Sequence, residues 1–154
     1  MVEKTSKRVT KIISMGVFRM NENIKKLVCG MELNSITSSD VLLEVGLKLG
    51  IKLPDQYISF MMDSNGAEGN IGSSYLAIWT TEQIVQLNKE YEVSDFTPGL
   101  VYFGSDGGEM AYAFDNRLEK ITIVEFPFES ISIEDVKLCG TTFTGFLKHL
   151  YDQE

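Results

Sequence analysis

Residues 98–116 read PGLVYFGSDGGEMAYAFDN, and the architecture of the chain turns on this stretch. Two apolar runs, at 100–103 and 110–114, flank a connection at 104–109 that holds three glycines. Glycine reaches positive φ without steric cost, so the pattern predicts a strand, a tight reversal and a second strand. Met110, Tyr112 and Phe114 alternate with Ala111, Ala113 and Asp115, the period of two expected of a strand. The reversal is acidic at Asp106 and Glu109. It is therefore either a site or a solvated loop.

Upstream of this hairpin the pattern is helical. Ile24, Leu27, Val28 and Met31 fall at i, i+3, i+4 and i+7, predicting a short amphipathic helix. Ser38, Ser39 and Asp40 are N-cap candidates for a second helix, whose Leu42, Val45 and Leu49 share a face before Gly50 stops it. Pro54 suits the first turn of a third, with Tyr57, Phe60 and Met61 as its buried stripe and Asn65-Gly66 as its stop. The segment GAEGNIGSS at 66–74 reads as a polar glycine-rich loop, followed by a strand at 75–79. Thr80-Thr-Glu-Gln83 has capping-box spacing and opens a helix with Ile84, Leu87 and Tyr91 on one side. Downstream, Asp115-Asn116 turns the chain into a strand at 121–126, with a short strand at 130–133. Phe143, Phe146, Leu147, Leu150 and Tyr151 mark a C-terminal helix. Consecutive strands joined by short connections predict an α+β fold: a meandering, mostly antiparallel sheet with helices packed on one face.

At 154 residues the chain is expected to form a single domain over 20–154, preceded by a basic segment at 1–19. That segment carries Lys4, Lys7, Arg8, Lys11 and Arg19 against Glu3, a net +4, so the remaining 135 residues hold −12 of the overall −8. It lacks the apolar core of a secretory peptide and reads as an extra strand or peripheral arm, with a faint likeness to an organellar transit segment. No apolar run reaches the ~18 residues that span a bilayer. Cys29 and Cys139 have no paired spacing, which points to free thiols in a reducing, cytoplasmic setting. A body this acidic repels phosphate backbones and favours a basic protein partner; nucleic acid and membrane are not expected as partners.

No constellation of catalytic residues stands out. Asp106, Glu109 and Asp115 lack the alternating ligands of an EF-hand, and the structural alternative has Asp106 bonding local backbone N–H groups. The 66–72 loop lacks the Lys-Ser/Thr of a P-loop and the spacing of a dinucleotide-binding turn. His149 is the sole histidine and sits on the terminal helix; no local motif surrounds either thiol, though spacing alone leaves a Cys–His pair open. No pair of acids is singled out for glycoside hydrolysis. Neither cofactor nor metal is expected, and the chain reads as a non-enzyme. Tyr75, Trp79, Tyr91 and Tyr102 could anchor an interface, Trp79 foremost, unless it is partly buried core.

Three segments in order resemble the SUKH superfamily of bacterial immunity proteins and related fungal cell-wall regulators. They are GIKLPDQYISFMMDSNG at 50–66, LAIWTTEQIVQLNKEY at 76–91 with Asn88 on the helix, and PGLVYFGSDGGEMAYAFD at 98–115. The resemblance spans roughly residues 38–150. It departs at the basic 1–19 segment and in a first helix without the tryptophan many members carry. It implies a non-enzymatic SUKH-like domain that neutralises a cognate polymorphic toxin, a nuclease in the best charge match, by direct binding. The alternative it implies is a regulatory interaction scaffold of the fungal type. For the first reading the expected contacts are Asp63, Glu68, Asp106 and Glu109, with Tyr75 or Trp79 as aromatic anchor. The expected state is a monomer or, through edge strands, a weak homodimer.

Overall fold

The computed structural model describes residues 20–153. In chain order these residues form α1 (Glu22–Leu27), β1 (Met31–Leu33), α2 (Ser39–Leu49), α3 (Asp55–Asp63), β2 (Ala67–Ile71) and β3 (Ser74–Ile78). They continue through α4 (Thr81–Glu90), α5 (Val93–Phe96), β4 (Leu100–Ser105), β5 (Met110–Asp115), β6 (Thr122–Pro127), a 3-10 turn at Ile133–Asp135, β7 (Lys137–Gly140) and α6 (Phe143–Tyr151). The basic segment at 1–19 lies outside the described residues.

The strands pair in sequence order, every neighbour antiparallel, into one seven-stranded meander. This is the α+β architecture predicted from the short connections. The 98–116 hairpin sits near its middle, with Val101 opposite Phe114 and Leu100 opposite Asp115. A register shift between Tyr102 and Gly104 leaves Phe103 as a bulge, and its ring stacks on Phe114 at 4.4 Å.

Local chemistry explains where the helices begin and end. The Ser38 hydroxyl accepts from the Val41 N–H at 3.2 Å, and Gly50 ends α2 in the left-handed region. Pro54, with φ near −62°, precedes α3, which buries Tyr57, Phe60 and Met61 completely. Tyr57 meets Phe103, Phe114 and Phe143 edge-on, and Phe146 meets Phe103 in the same way. Thus α3 and α6 cover the Phe103–Phe114 face of the sheet, forming the aromatic centre of the core. The predicted helix layer is on this face.

The other face is half covered. Tyr102, Ala111, Ala113, Val124 and Phe126 point there and are buried. The β6–β7 connection carries Phe128 back onto it, where that ring approaches Tyr91 at 4.7 Å, Tyr102 at 5.8 Å and Trp79 at 6.4 Å. Ile133 and Val136 of the same connection also pack against the core.

Three local expectations are corrected. Residues 66–74 are not a loop but β2 and a two-residue hairpin into β3. Ala67 and Ile71 point inward while Glu68 and Asn70 point out, an alternation that the glycines conceal. Gly72 at φ 60° makes the reversal, and a Cβ there would lie 2.3 Å from the Tyr151 carbonyl oxygen. Met31 does not belong to α1, which ends at Leu27; it opens β1 opposite Gly69. The expected strand at 130–133 is instead irregular chain entering the 3-10 turn, and the last strand is β7, stitched to β6 from Ile123 to Glu125.

Candidate functional site

Several polar residues of the three motif segments are spent on construction. Asn65 presents its Oδ1 to the Thr81 N–H at 2.8 Å, capping α4, and its amide donates to Glu82 at 3.0 Å. Gln83 closes the capping box by accepting from the Thr80 N–H at 3.0 Å. These donors at the head of α4, its own backbone N–H foremost, hold the Glu82 carboxyl below its usual range. Gln56 accepts from both the N–H and hydroxyl of Thr144, tying α3 to the start of α6.

Asn88 has the most demanding role. β3 pairs with β4 only at Ser105 and Gly104, so the β4 backbone at Tyr102 has no strand beside it on that side. Asn88 fills the gap, accepting from the Tyr102 N–H at 2.9 Å and donating to the Tyr102 carbonyl at 2.8 Å. It also donates to the Ile84 carbonyl at 2.8 Å, which fixes the rotamer.

The acidic turn is similarly built. Asp106 Oδ1 accepts from the N–H groups of Gly108 at 2.8 Å and Met110 at 3.2 Å, as the structural alternative expects. Asp115 takes the Arg117 guanidinium in a fork, at 2.9 Å to Nε and 2.7 Å to Nη2. Those hydrogen bonds hold the Asp115 carboxyl below the usual carboxylate range and raise the guanidinium in return.

What remains exposed is the outer face of the β1–β3 half-sheet. Glu32 stands directly opposite Glu68 in the ladder, and both are exposed. Tyr75, 38% exposed, donates a short hydrogen bond to the Glu68 carboxylate. That bond, with Glu68 and Glu32 close by, pushes the Tyr75 phenol up. The β4–β5 turn leans onto the same ring: a Cβ at Gly107 would lie 2.8 Å from Tyr75. Glu32, Glu68 and Tyr75 thus share one surface, which the β4–β5 turn that carries Asp106 and Glu109 reaches at Gly107. The sequence did not point to Glu32 because its three-residue strand carries too little alternation to be read.

The other two expected contacts lie elsewhere. Asp63, at the end of α3, accepts from the Met20 N–H at 2.8 Å. Trp79 is only 9% exposed, beneath Phe128, and offers a partner little more than an edge. Tyr91, on the far side of Phe128, is 42% exposed and is the more open ring of that stack.

Two further features escaped the linear pattern. An apolar groove of about 560 Å³ lies beside α2 and α3, with Leu43 and Leu47 exposed along it. On the helix-covered side, Glu125, Cys139 and His149 converge, their ligand atoms all within 4.8 Å of one another. Burial, with Glu125 alongside, pushes the Cys139 thiol up to about 12. The thiol is therefore protonated and donates to Glu125 at 3.5 Å. Cys29 is exposed, and both thiols are free, as expected from their spacing.

Among the described residues no helix is long and apolar enough to cross a membrane. A search of curated proteins found no match. The sequence profile of the SMI1 / KNR4 family (SUKH-1) matches residues 36–149, from the chain before α2 into α6 and leaving α1 and β1 outside. That span contains all three motif segments and the clasps made by Gln56, Asn65, Gln83, Asn88, Asp106 and Asp115, and the chain belongs to the SMI1 / KNR4 (SUKH-1) family.

Proposed function

We propose that this protein is an immunity protein that neutralises a cognate toxin domain by direct binding, using the outer face of its β1–β3 half-sheet. Members of the family are generally non-enzymatic immunity or regulatory proteins that bind protein partners. The observation that carries the reading is the exposed acidic pair Glu32 and Glu68 beside the Tyr75 ring, against which the 106–109 turn rests at Gly107. Charged groups arranged this way around an aromatic suit a basic surface, with the charges steering encounter and the ring supplying contact area. A nuclease toxin, whose substrate surface must attract phosphates, is the best complement to a body of −12.

The test is co-expression with the toxin domain encoded beside this chain. The expected outcome is a stoichiometric complex and rescue of growth. Glu32→Lys with Glu68→Lys should weaken binding about tenfold or more, mostly through the association rate at low salt. Loss of both binding and rescue in the unaltered protein would sink the immunity reading. Binding without rescue points to the regulatory scaffold instead. Binding untouched by charge reversal but lost with Leu47→Asp moves the contact to the apolar groove.

A further inference from the structure

Glu125, Cys139 and His149 come from three different elements, β6, β7 and α6, and two local irregularities bring them together. The first is in β7. Val124 pairs with Leu138 and Ile123 with Gly140, so Cys139 is the extra residue of a bulge. Its thiol lies under α6, in contact with Glu125. The second is Gly140 itself. A Cβ at this position would lie 2.7 Å from the Phe146 nitrogen, so glycine lets α6 approach the strand closely. His149 follows Phe146 by about one helical turn and shares its face.

The three side chains differ in chemistry and in exposure. A thiol, an imidazole and a carboxylate form a mixed soft and borderline donor set, which suits a transition metal and not magnesium or calcium. The 3.5 Å between Cys139 Sγ and Glu125 Oε1 fits tetrahedral coordination. Metal–sulfur and metal–oxygen bonds of about 2.3 and 2.0 Å place the two ligand atoms roughly 3.5 Å apart. Cys139 is buried, Glu125 half-buried and His149 exposed, so the cluster opens to solvent on the imidazole side. The Gln153 amide nitrogen lies 3.1 Å from His149 Nε2, at the solvent side of the cluster.

We propose that Glu125, Cys139 and His149 form a three-ligand site for a borderline transition-metal ion such as Zn(II), with solvent in the fourth position. The ion replaces the thiol proton that Glu125 now accepts, and that proton leaves to solvent. Because the ligands lie on β6, β7 and α6, the ion cross-links the C-terminal edge of the sheet to the helix that covers it.

The test uses the full chain carrying Cys29→Ser, which removes the exposed thiol, stripped of metal and titrated with Co(II). The expected result is one equivalent bound, with a thiolate-to-cobalt charge-transfer band and the strong visible bands of four-coordinate cobalt. Cys139→Ser removes the charge-transfer band. His149→Gln, at an exposed helical position, weakens binding at least tenfold without altering the circular dichroism. Zn(II) at about a hundredfold over its dissociation constant raises the melting temperature by roughly 5–10 °C, as linkage requires. Absence of cobalt binding up to millimolar metal overturns the proposal, as does a band that survives Cys139→Ser or a His149→Gln titration that matches the parent.

Discussion

Replacing Asn88 by alanine isolates the clasp between α4 and β4. The substitution removes two hydrogen bonds to the Tyr102 backbone, at 2.9 and 2.8 Å, and one to the Ile84 carbonyl. The Ile84 carbonyl retains the helix's own N–H as a partner, so its loss is minor. Tyr102 is 4% exposed and has no strand on that side, so its N–H and carbonyl are left poorly served. Two lost bonds to such groups cost about 3 kcal/mol together, and alanine's better helix propensity returns about 0.6 kcal/mol. The expected net loss is about 2–3 kcal/mol. With a urea slope of about 1.5 kcal/mol/M, the unfolding midpoint falls by roughly 1.3–2 M. Lys89→Ala, exposed on the same helix, is the control and should stay within about 0.5 kcal/mol of the parent. Asn88→Asp keeps an acceptor for the N–H but turns a second acceptor toward the Tyr102 carbonyl, so it is destabilised as well. If Asn88→Ala unfolds at the same urea concentration as Lys89→Ala, the clasp carries no weight and the reasoning is refuted.

Two other substitutions probe the same scaffold. Arg117→Ala should cost about 1 kcal/mol at neutral pH, a figure kept small because the guanidinium is partly exposed to water. Since Arg117 depresses the folded-state pKa of Asp115, this stability is present above the ordinary carboxylate value near 4 and is lost as pH falls through the depressed value. Melting temperatures of parent and variant should therefore converge on acidification, and a constant gap down to pH 2 argues against the ion pair. Tyr57→Phe tests the centre of the core, where the hydroxyl is buried with no hydrogen-bond partner among the described residues. It should leave stability unchanged or raise it by up to about 1 kcal/mol, and a loss above about 1 kcal/mol means the hydroxyl is partnered by water.

Local periodicity made much of the fold legible. Tyr57, Phe60 and Met61 at helical spacing, the alternation of Met110, Tyr112 and Phe114, and the Thr80–Gln83 capping box each depend on neighbours within a turn or two. Where composition and conformation disagree, the linear pattern misled. Ala67 and Ile71 are inward positions of a strand, but Glu68, Gly69 and Asn70 between them carry the composition of a loop. The same limit hid β7, where the bulge at Cys139 breaks the alternation.

The sequence alone determined that this is an α+β domain with its hairpin at 98–116, resembling the SUKH superfamily, because those features are written in short-range patterns. Only the tertiary structure decided which acids share a surface. Glu32 faces Glu68 because of the β1–β2 register, and Gly107 rests on Tyr75 because the hairpin turn leans across β3. It also decided that Cys139 meets Glu125 and His149, through a bulge and a glycine that closes the gap to α6. The physical reason is the same in each case. Periodicity along the chain sets which way a side chain points, whereas strand register and packing set what it meets.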